Sequence, residues 1–256
     1  MTIETCIKAA KAELAAAQTD ILDALNTEKS RRRGPLVQRL HEVRQMLSPA
    51  YRYTSQAGQD EVVDRLLGRK VKGVFLDIGG YDGITGSNTL FLEVFRGWTG
   101  LLIEPAPPQL ELARGIRRCR CLGVAVAPED GEAEFIEVQA GLTQMSGLSA
   151  TYDPGLLDRV RADPRHKEMS HLVPTRKLES LIEEVGTTEP DLVSLDIEGG
   201  ELSVLEAFDF DTYRPHLWCI ENNLANRSLP LLMRRAGYDL IEFCGPDEVY
   251  LDRRVG

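Results

Sequence analysis

Short apolar runs, each closing on a glycine or an acid, recur through this chain with helix-patterned stretches between them. Val74–Ile78 runs into Gly79-Gly80, Leu101–Ile103 into Glu104, Leu192–Ile197 into Glu198 and Leu217–Ile220 into Glu221, while Gly123–Val126 is a further run. A strand that is apolar at nearly every position, rather than at alternate ones, must be covered on both faces, and that is the environment of a parallel sheet. Between the runs, Asp60–Leu67, Gln109–Arg117, Leu178–Val185, Leu202–Phe208 and Ser228–Ala236 carry helical periodicity. Tyr238–Phe243 and Glu248–Leu251 are close enough to pair as an antiparallel hairpin. The pattern predicts an α/β fold: a doubly wound, mostly parallel sheet closed by a C-terminal antiparallel hairpin.

Residues 1–52 stand apart as a predicted N-terminal arm, with the α/β domain over 53–256. Ile3, Ile7, Ala10, Leu14, Ala17 and Ile21 recur at alternating four- and three-residue steps, the spacing of a coiled-coil seam. Gly34-Pro35 is expected to break the helix, and Leu36, Leu40, Val43 and Leu47 form a second stripe. A helical hairpin packed on its own domain and a homo-oligomerisation arm both satisfy this pattern.

Charge narrows the partners. The chain of 256 residues has a formal charge of −10, which argues against a nucleic-acid backbone as ligand. Residues 1–53 nevertheless hold nine Lys and Arg against six acids; the triplet Arg31-Arg32-Arg33 is expected to be a solvated helix end. No apolar run is long enough to span a bilayer, and the N-terminal stretch lacks a signal peptide's compact apolar core, so a cytoplasmic location is expected. Five cysteines, Cys6, Cys119, Cys121, Cys219 and Cys244, match no zinc spacing and are expected to be reduced structural thiols. Gly141–Arg176 breaks the strand–helix rhythm with Pro154, Pro164 and Pro174; a long polar loop here reads as a substrate lid.

In open α/β sheets ligands bind beyond the carboxyl ends of the strands, so the residues that follow each run are the informative ones. Asp77-Ile78-Gly79-Gly80-Tyr81-Asp82-Gly83 follows the first strand. Its spacing departs from the G-x-G-x-x-G that cradles a diphosphate, which suits an adenosine ligand without one, such as S-adenosylmethionine, and disfavours an NAD-dependent oxidoreductase. Glu104 stands where a carboxylate accepts both ribose hydroxyls. Asp196-Ile197-Glu198-Gly199-Gly200-Glu201 and Glu221-Asn222-Asn223 should meet at neighbouring strand tips. Asp196, Glu198, Glu221 and Asn222 together suit a hard cation such as Mg²⁺; the alternative is that the acids favour helix starts. Glu198, Glu201 and the lid histidines His166 and His171 are candidates for a general base, with Asp196 catalytic through the cation it would hold.

These residues resemble the FkbM-type methyltransferases. The matching pieces are Ser55–Asp60, Leu76–Gly83, Ser87–Thr89, Gly97–Pro105 and Ser194–Glu201, in order across roughly residues 53–252. One departure is Gly80, where the family carries another small residue. The resemblance implies a Rossmann-like class I methyltransferase fold, S-adenosylmethionine as cofactor, and O-methylation of a hydroxylated small molecule, with a sugar as the leading acceptor. It also implies that Asp77, Gly79, Asp82, Ser87 and Asn88 lie along the methionine half of the cofactor. Glu104 and Pro105 would lie at the ribose, and Gln59 and Asp60 would close from the N-terminal side. A non-catalytic adenosine-binding or oligomeric scaffold is the rival to an enzyme; clustered buried carboxylates argue against it, because a scaffold has no use for them.

Overall fold

The computed structural model describes residues 2–255. It begins with α1 (Ile3–Thr27) and α2 (Arg33–Leu47), followed by α3 (Gln59–Leu66), β1 (Val74–Ile78), α4 (Leu90–Arg96) and β2 (Thr99–Ile103). Next come α5 (Pro107–Ile116), β3 (Arg120–Leu122), β4 (Ala125–Val126), β5 (Gly131–Ala140), β6 (Gly147–Leu148), α6 (Pro154–Arg161) and β7 (Lys167–Arg176). The chain continues through α7 (Leu178–Glu184), β8 (Leu192–Leu195), α8 (Glu201–Ala207), β9 (Leu217–Glu221), α9 (Ser228–Arg235), β10 (Tyr238–Cys244) and β11 (Asp247–Asp252).

The main sheet has the order β10-β11-β9-β8-β1-β2-β3. β1, β2, β3, β8 and β9 are parallel, and β11 runs antiparallel to both β9 and β10. This is the mostly parallel sheet with a C-terminal hairpin that a class I methyltransferase fold requires. The apolar runs occupy its centre because both faces are covered: every residue of β8 is buried, as are all of β1 after Val74. Trp218, Phe208, Phe210 and Tyr238 pack together, mostly edge to face, with Phe208 and Trp218 ring centroids 5.4 Å apart. A fully buried side chain of this size stabilises the fold by roughly 2–3 kcal/mol, so a strand without a polar face is held firmly in register.

β1 pairs with β2 on one side and β8 on the other, so the chain's winding reverses there. The crevice above that reversal is the place where this architecture binds ligands.

A second sheet, β4-β7-β5-β6, stands where a lid was expected. The segment 141–176 is structured: β7 pairs with β5 along nearly its whole length, and the prolines are accommodated. Pro154 opens α6, where its missing N–H costs nothing, with Asp153 capping Leu156 N at 2.8 Å. Pro174 lies within β7. The expected third strand is split between β3 in the main sheet and β4 in the second.

The arm is two helices, but they part at 28–32 rather than at Gly34-Pro35, because Gly34 and Pro35 sit in the first turn of α2, where no intrahelical donor is needed. Ile3 and Ile7 are exposed, at 80% and 52%, whereas Leu25, Val37 and Leu40 join the core beside α3. Among the described residues no helix is long and apolar enough to cross a membrane. The five cysteines are all free thiols, with Cys121, Cys219 and Cys244 buried.

Candidate functional site

The loop after β1 is shaped by two glycines with no room for a side chain. Gly79 has a φ of +78°, and a Cβ there would lie 1.7 Å from the carbonyl oxygen of Asp196. A Cβ on Gly80 would lie 2.4 Å from Leu102 Cγ, so glycine is a packing requirement at the position where the resemblance shows a departure. Asp77 Oδ2 accepts from Thr89 Oγ1 at 2.5 Å and from Ser87 Oγ at 3.4 Å. Behind it lies Arg117, whose guanidinium is fully buried, 3.4 Å from Asp77 and paired also with Glu93. Asp77 thus reaches the cavity as a carboxylate already fixed by a hydroxyl and a cation.

Glu104, at the tip of β2, accepts the backbone N–H of Tyr81 at 2.9 Å and of Ala106 at 2.8 Å, one on each oxygen. Each oxygen keeps a lone pair for a ligand hydroxyl. Burial pushes its carboxyl up to about 7, against the lowering effect of those two N–H groups. Tyr81 holds a φ of +48°, a conformation that costs a non-glycine residue on the order of 1 kcal/mol. Its hydroxyl meets Thr143 Oγ1 at 2.6 Å, tying the glycine loop to the loop before β6.

Across the cavity the tips of β8 and β9 bring three carboxylates together. One oxygen from each of Asp196, Glu198 and Glu221 lies within 4.8 Å of the others. Burial raises all three, and the negative charge of neighbouring carboxylates raises them further: Asp196 to about 8, beside Asp247 and against a lowering hydrogen bond from Glu221, Glu198 to about 9, beside Asp196 and Glu201, and Glu221 well above its usual value, beside Asp196 and Glu198. Glu198 adopts a φ of +58°, and its Oε2 is buried without a hydrogen-bond partner among the described residues. Asn88 donates to Ser194 Oγ at 2.9 Å, while its own carbonyl oxygen is also buried and unpartnered.

A cavity of about 410 Å³ joins these two halves. Asp77, Gly79, Ser87, Asn88, Glu104, Pro105, Asp196, Glu198 and Glu221 all line it. Several expected site residues stand behind this wall instead. Gln59 bridges Ala57 N and Asp247 Oδ2, both at 2.9 Å. Asp60 is fully buried and accepts from Thr54 N at 2.6 Å and Ser55 Oγ at 2.5 Å, so it organises the loop ahead of α3. Asp82 closes its own turn by accepting Ile84 N and Thr85 N.

The same holds on the acidic side. Glu201 accepts the backbone N–H groups of Ile197 (2.9 Å) and Gly199 (3.1 Å), fastening the turn that carries Glu198 rather than facing the cavity. Asn222 points away from the carboxylate cluster: its amide donates to Glu248 at 2.9 Å and to the Asn226 carbonyl at 3.1 Å, and it is Asn223 that lines the cavity. His171 lies opposite Phe135 in the second sheet, rings 5.8 Å apart, with Nδ1 3.8 Å from Glu137 and outside the cavity lining. His166 pairs with Glu168 on the surface at 3.0 Å. Of the candidate bases only Glu198 lines the cavity, beside Asp196, because strand and turn geometry aim the others elsewhere.

Other lining residues carry no motif. Thr143–Leu148, Phe135 and Leu156 come from the second sheet and α6, and Gln38 and Pro246 from the arm and the β10–β11 turn. Their common signal is position: they belong to segments that topology folds over the strand tips, which the alternation of strands and helices does not reveal.

A family model described as the methyltransferase FkbM domain matches residues 77–240, more than half of the chain. The chain belongs to the FkbM methyltransferase family. No curated protein matches the sequence. Among solved structures, it is similar to a methyltransferase FkbM from Methylobacillus flagellatus, at 15% identity and a TM-score of 0.44, with 95% of this chain and 60% of that one covered. It is also similar to a TehB-like SAM-dependent methyltransferase from Corynebacterium glutamicum (12% identity, 77% and 88% covered, TM-score 0.40). A third is a precorrin-6y C5,15-methyltransferase from Geobacter metallireducens (12% identity, 75% and 85% covered, TM-score 0.38). The FkbM chain thus spans 60% of the length of the first of these structures. Membership of a methyltransferase family removes the oxidoreductase alternative.

Proposed function

We propose that this methyltransferase transfers a methyl group from S-adenosylmethionine to a hydroxyl of a small polar acceptor, a sugar or glycoside, with a divalent cation such as Mg²⁺ at Asp196, Glu198 and Glu221. The observation that carries the reading is the single cavity with a glycine-loop carboxylate half, Asp77 and Glu104, facing a carboxylate triad. The donor set fits a hard cation: three carboxylate oxygens within 4.8 Å of one another, no ion pair to any of them among the described residues, and one buried oxygen, Glu198 Oε2, without a partner. The glycine loop fits the cofactor, because Gly79 puts backbone without a side chain in the cavity wall and the Glu104 oxygens retain free lone pairs.

When bound, S-adenosylmethionine supplies a methyl group already activated on its sulfonium, and the cation supplies positive charge that favours an ionised hydroxyl. The rest falls to the chain. Glu104 accepts the ribose hydroxyls, and Asp77, held by Thr89 and Arg117, fixes the amino end of the methionine half. Asp196 and Glu221 orient the acceptor hydroxyl, and the Glu198 oxygen left free of the cation is the one we assign to receive its proton. Displacement needs oxygen, methyl carbon and sulfur in line, so holding the two halves at fixed separation supplies much of the rate. The loop 143–148, tied to Tyr81, shields the reacting atoms from water. Its polar members Thr143, Gln144 and Ser146 match a hydroxylated acceptor rather than a flat aromatic one.

The test is transfer of labelled methyl from S-adenosylmethionine to a panel of mono- and disaccharides, with Mg²⁺ or with chelator. The expected result is an ether on a sugar hydroxyl, lost in chelator and restored by Mg²⁺. Full transfer in chelator sinks the cation; transfer confined to amine acceptors sinks O-methylation.

A further inference from the structure

The match to the FkbM family begins at residue 77, so nothing in it covers the arm. Yet the turn between α1 and α2 grips the acidic side of the cavity. Arg31 donates from Nη1 to Glu248 and from Nη2 to the carbonyls of Asn222 and Pro246, the last at 2.7 Å, with its guanidinium 5.8 Å over the Phe243 ring. Glu248 is buried, at 3% exposure, and also accepts from Asn222 Nδ2 and the Tyr250 hydroxyl. Arg31 is its one ion-pair partner among the described residues. Asn222 stands between Glu221 and Asn223, both of which line the cavity.

A second tie runs beside it. Gly245 N donates to the Gly34 carbonyl at 3.0 Å, and a Cβ on Gly34 would lie 2.1 Å from the Gly245 carbonyl oxygen. The start of α2 is therefore seated directly on the β10–β11 turn, and Gln38, one turn further along, forms cavity wall with Pro246.

We propose that the N-terminal arm is part of the catalytic machinery, with Arg31 a positioning residue that sets the β9 tip and so the place of Glu221 in the carboxylate triad. The inference rests on the reading of that triad as the cation and acceptor site. A guanidinium suits the task because its planar fork satisfies a carboxylate and two carbonyls at once, which an ammonium on a flexible stem does not. Its neighbour Arg33 is committed elsewhere, to both oxygens of Glu242 at 2.6 Å, so it does not substitute.

The experiment compares the full-length wild type with Arg31→Lys and with the double variant Arg31→Ala/Glu248→Gln, which removes the carboxylate that loss of Arg31 alone would leave without its counter-ion. Hydrogen exchange is followed by mass spectrometry, S-adenosylhomocysteine binding by calorimetry, and Mn²⁺ binding by electron paramagnetic resonance. In the double variant, exchange over residues 221–226 should rise by about tenfold or more while residues 74–104 keep wild-type rates. Mn²⁺ affinity should fall by about tenfold while that for S-adenosylhomocysteine stays within about threefold. Arg31→Lys, which keeps the charge without the fork, should fall between. Unchanged exchange at 221–226, or a rise spread evenly over the chain, overturns the proposal. If the wild type binds S-adenosylhomocysteine but no Mn²⁺, the cation reading fails, and the exchange comparison still upholds or overturns the clamp.

Discussion

Replacing Glu104 with alanine should separate cofactor binding from folding. The carboxylate accepts two backbone N–H groups and keeps two lone pairs toward the cavity. A hydrogen bond to a charged acceptor contributes about 1.5–3 kcal/mol, and two ribose hydroxyls would lose theirs in the variant. Water entering the vacated space offsets part of this, leaving about 3 kcal/mol, or roughly a 100-fold weaker affinity for S-adenosylhomocysteine. The fold loses less. The Tyr81 and Ala106 N–H groups belong to residues of the cavity wall, and water filling the vacated space would take over their bonds, so stability should drop by only about 1–2 kcal/mol, a few degrees in melting temperature. Calorimetric titration at pH 8, beside thermal denaturation of the same samples, reads both. Affinity within about threefold of wild type would refute the placement of the ribose at Glu104. So would an affinity loss matched by collapse of the fold.

Arg117→Ala should cost about 3–5 kcal/mol in chemical denaturation, because Asp77 and Glu93 would be left buried without their cation; a loss under about 1 kcal/mol would contradict this. Gly79→Ala should destabilise by more than about 2 kcal/mol, since it adds a Cβ at positive φ against the Asp196 carbonyl; near-neutral stability in urea would count against the observed loop. Stability should fall as pH rises. Glu104 and Asp60 titrate at about 7 and about 6 in the folded chain, above their usual values of 4.5 and 3.8, so the fold holds their protons longer than the unfolded chain does. Their contribution is full below about pH 4 and lost through about pH 7, some 3 kcal/mol for Glu104 alone; a melting temperature that rises from pH 5 to pH 8 would contradict the sign.

The strands of the main sheet were legible because full burial leaves no polar face: Val74–Ile78 and Leu192–Leu195 read as apolar runs. β5 and β7 were not. They are exposed at Glu132 and Glu134 and at Lys167 and Glu168, and Pro174 within β7 reads as a breaker. The short α4 lay hidden in the same way, with too few turns to show a period. At the site, strand-tip position alone placed Asp77, Glu104 and Asp196 in the cavity wall. It could not choose between Asn222 and Asn223, because successive side chains leave a strand on opposite faces and the register past the last ladder bond decides. Glu201, Gln59 and Asp60 were legible as polar residues near the site but not as turn fasteners, a role set by backbone N–H groups that a sequence does not show. Arg31 and Arg117 were the least visible, since a basic residue beside a helix end reads as solvated until its carboxylate partners, 217 and 24 residues away, fold against it.

The account stands or falls most directly on calorimetric titration of the full-length chain with S-adenosylhomocysteine, with and without Mg²⁺. It predicts saturable binding of one molecule per chain in both conditions and a Mg²⁺-dependent change in the signal as the carboxylate triad fills. No binding in either condition would contradict it and return the chain to the scaffold reading.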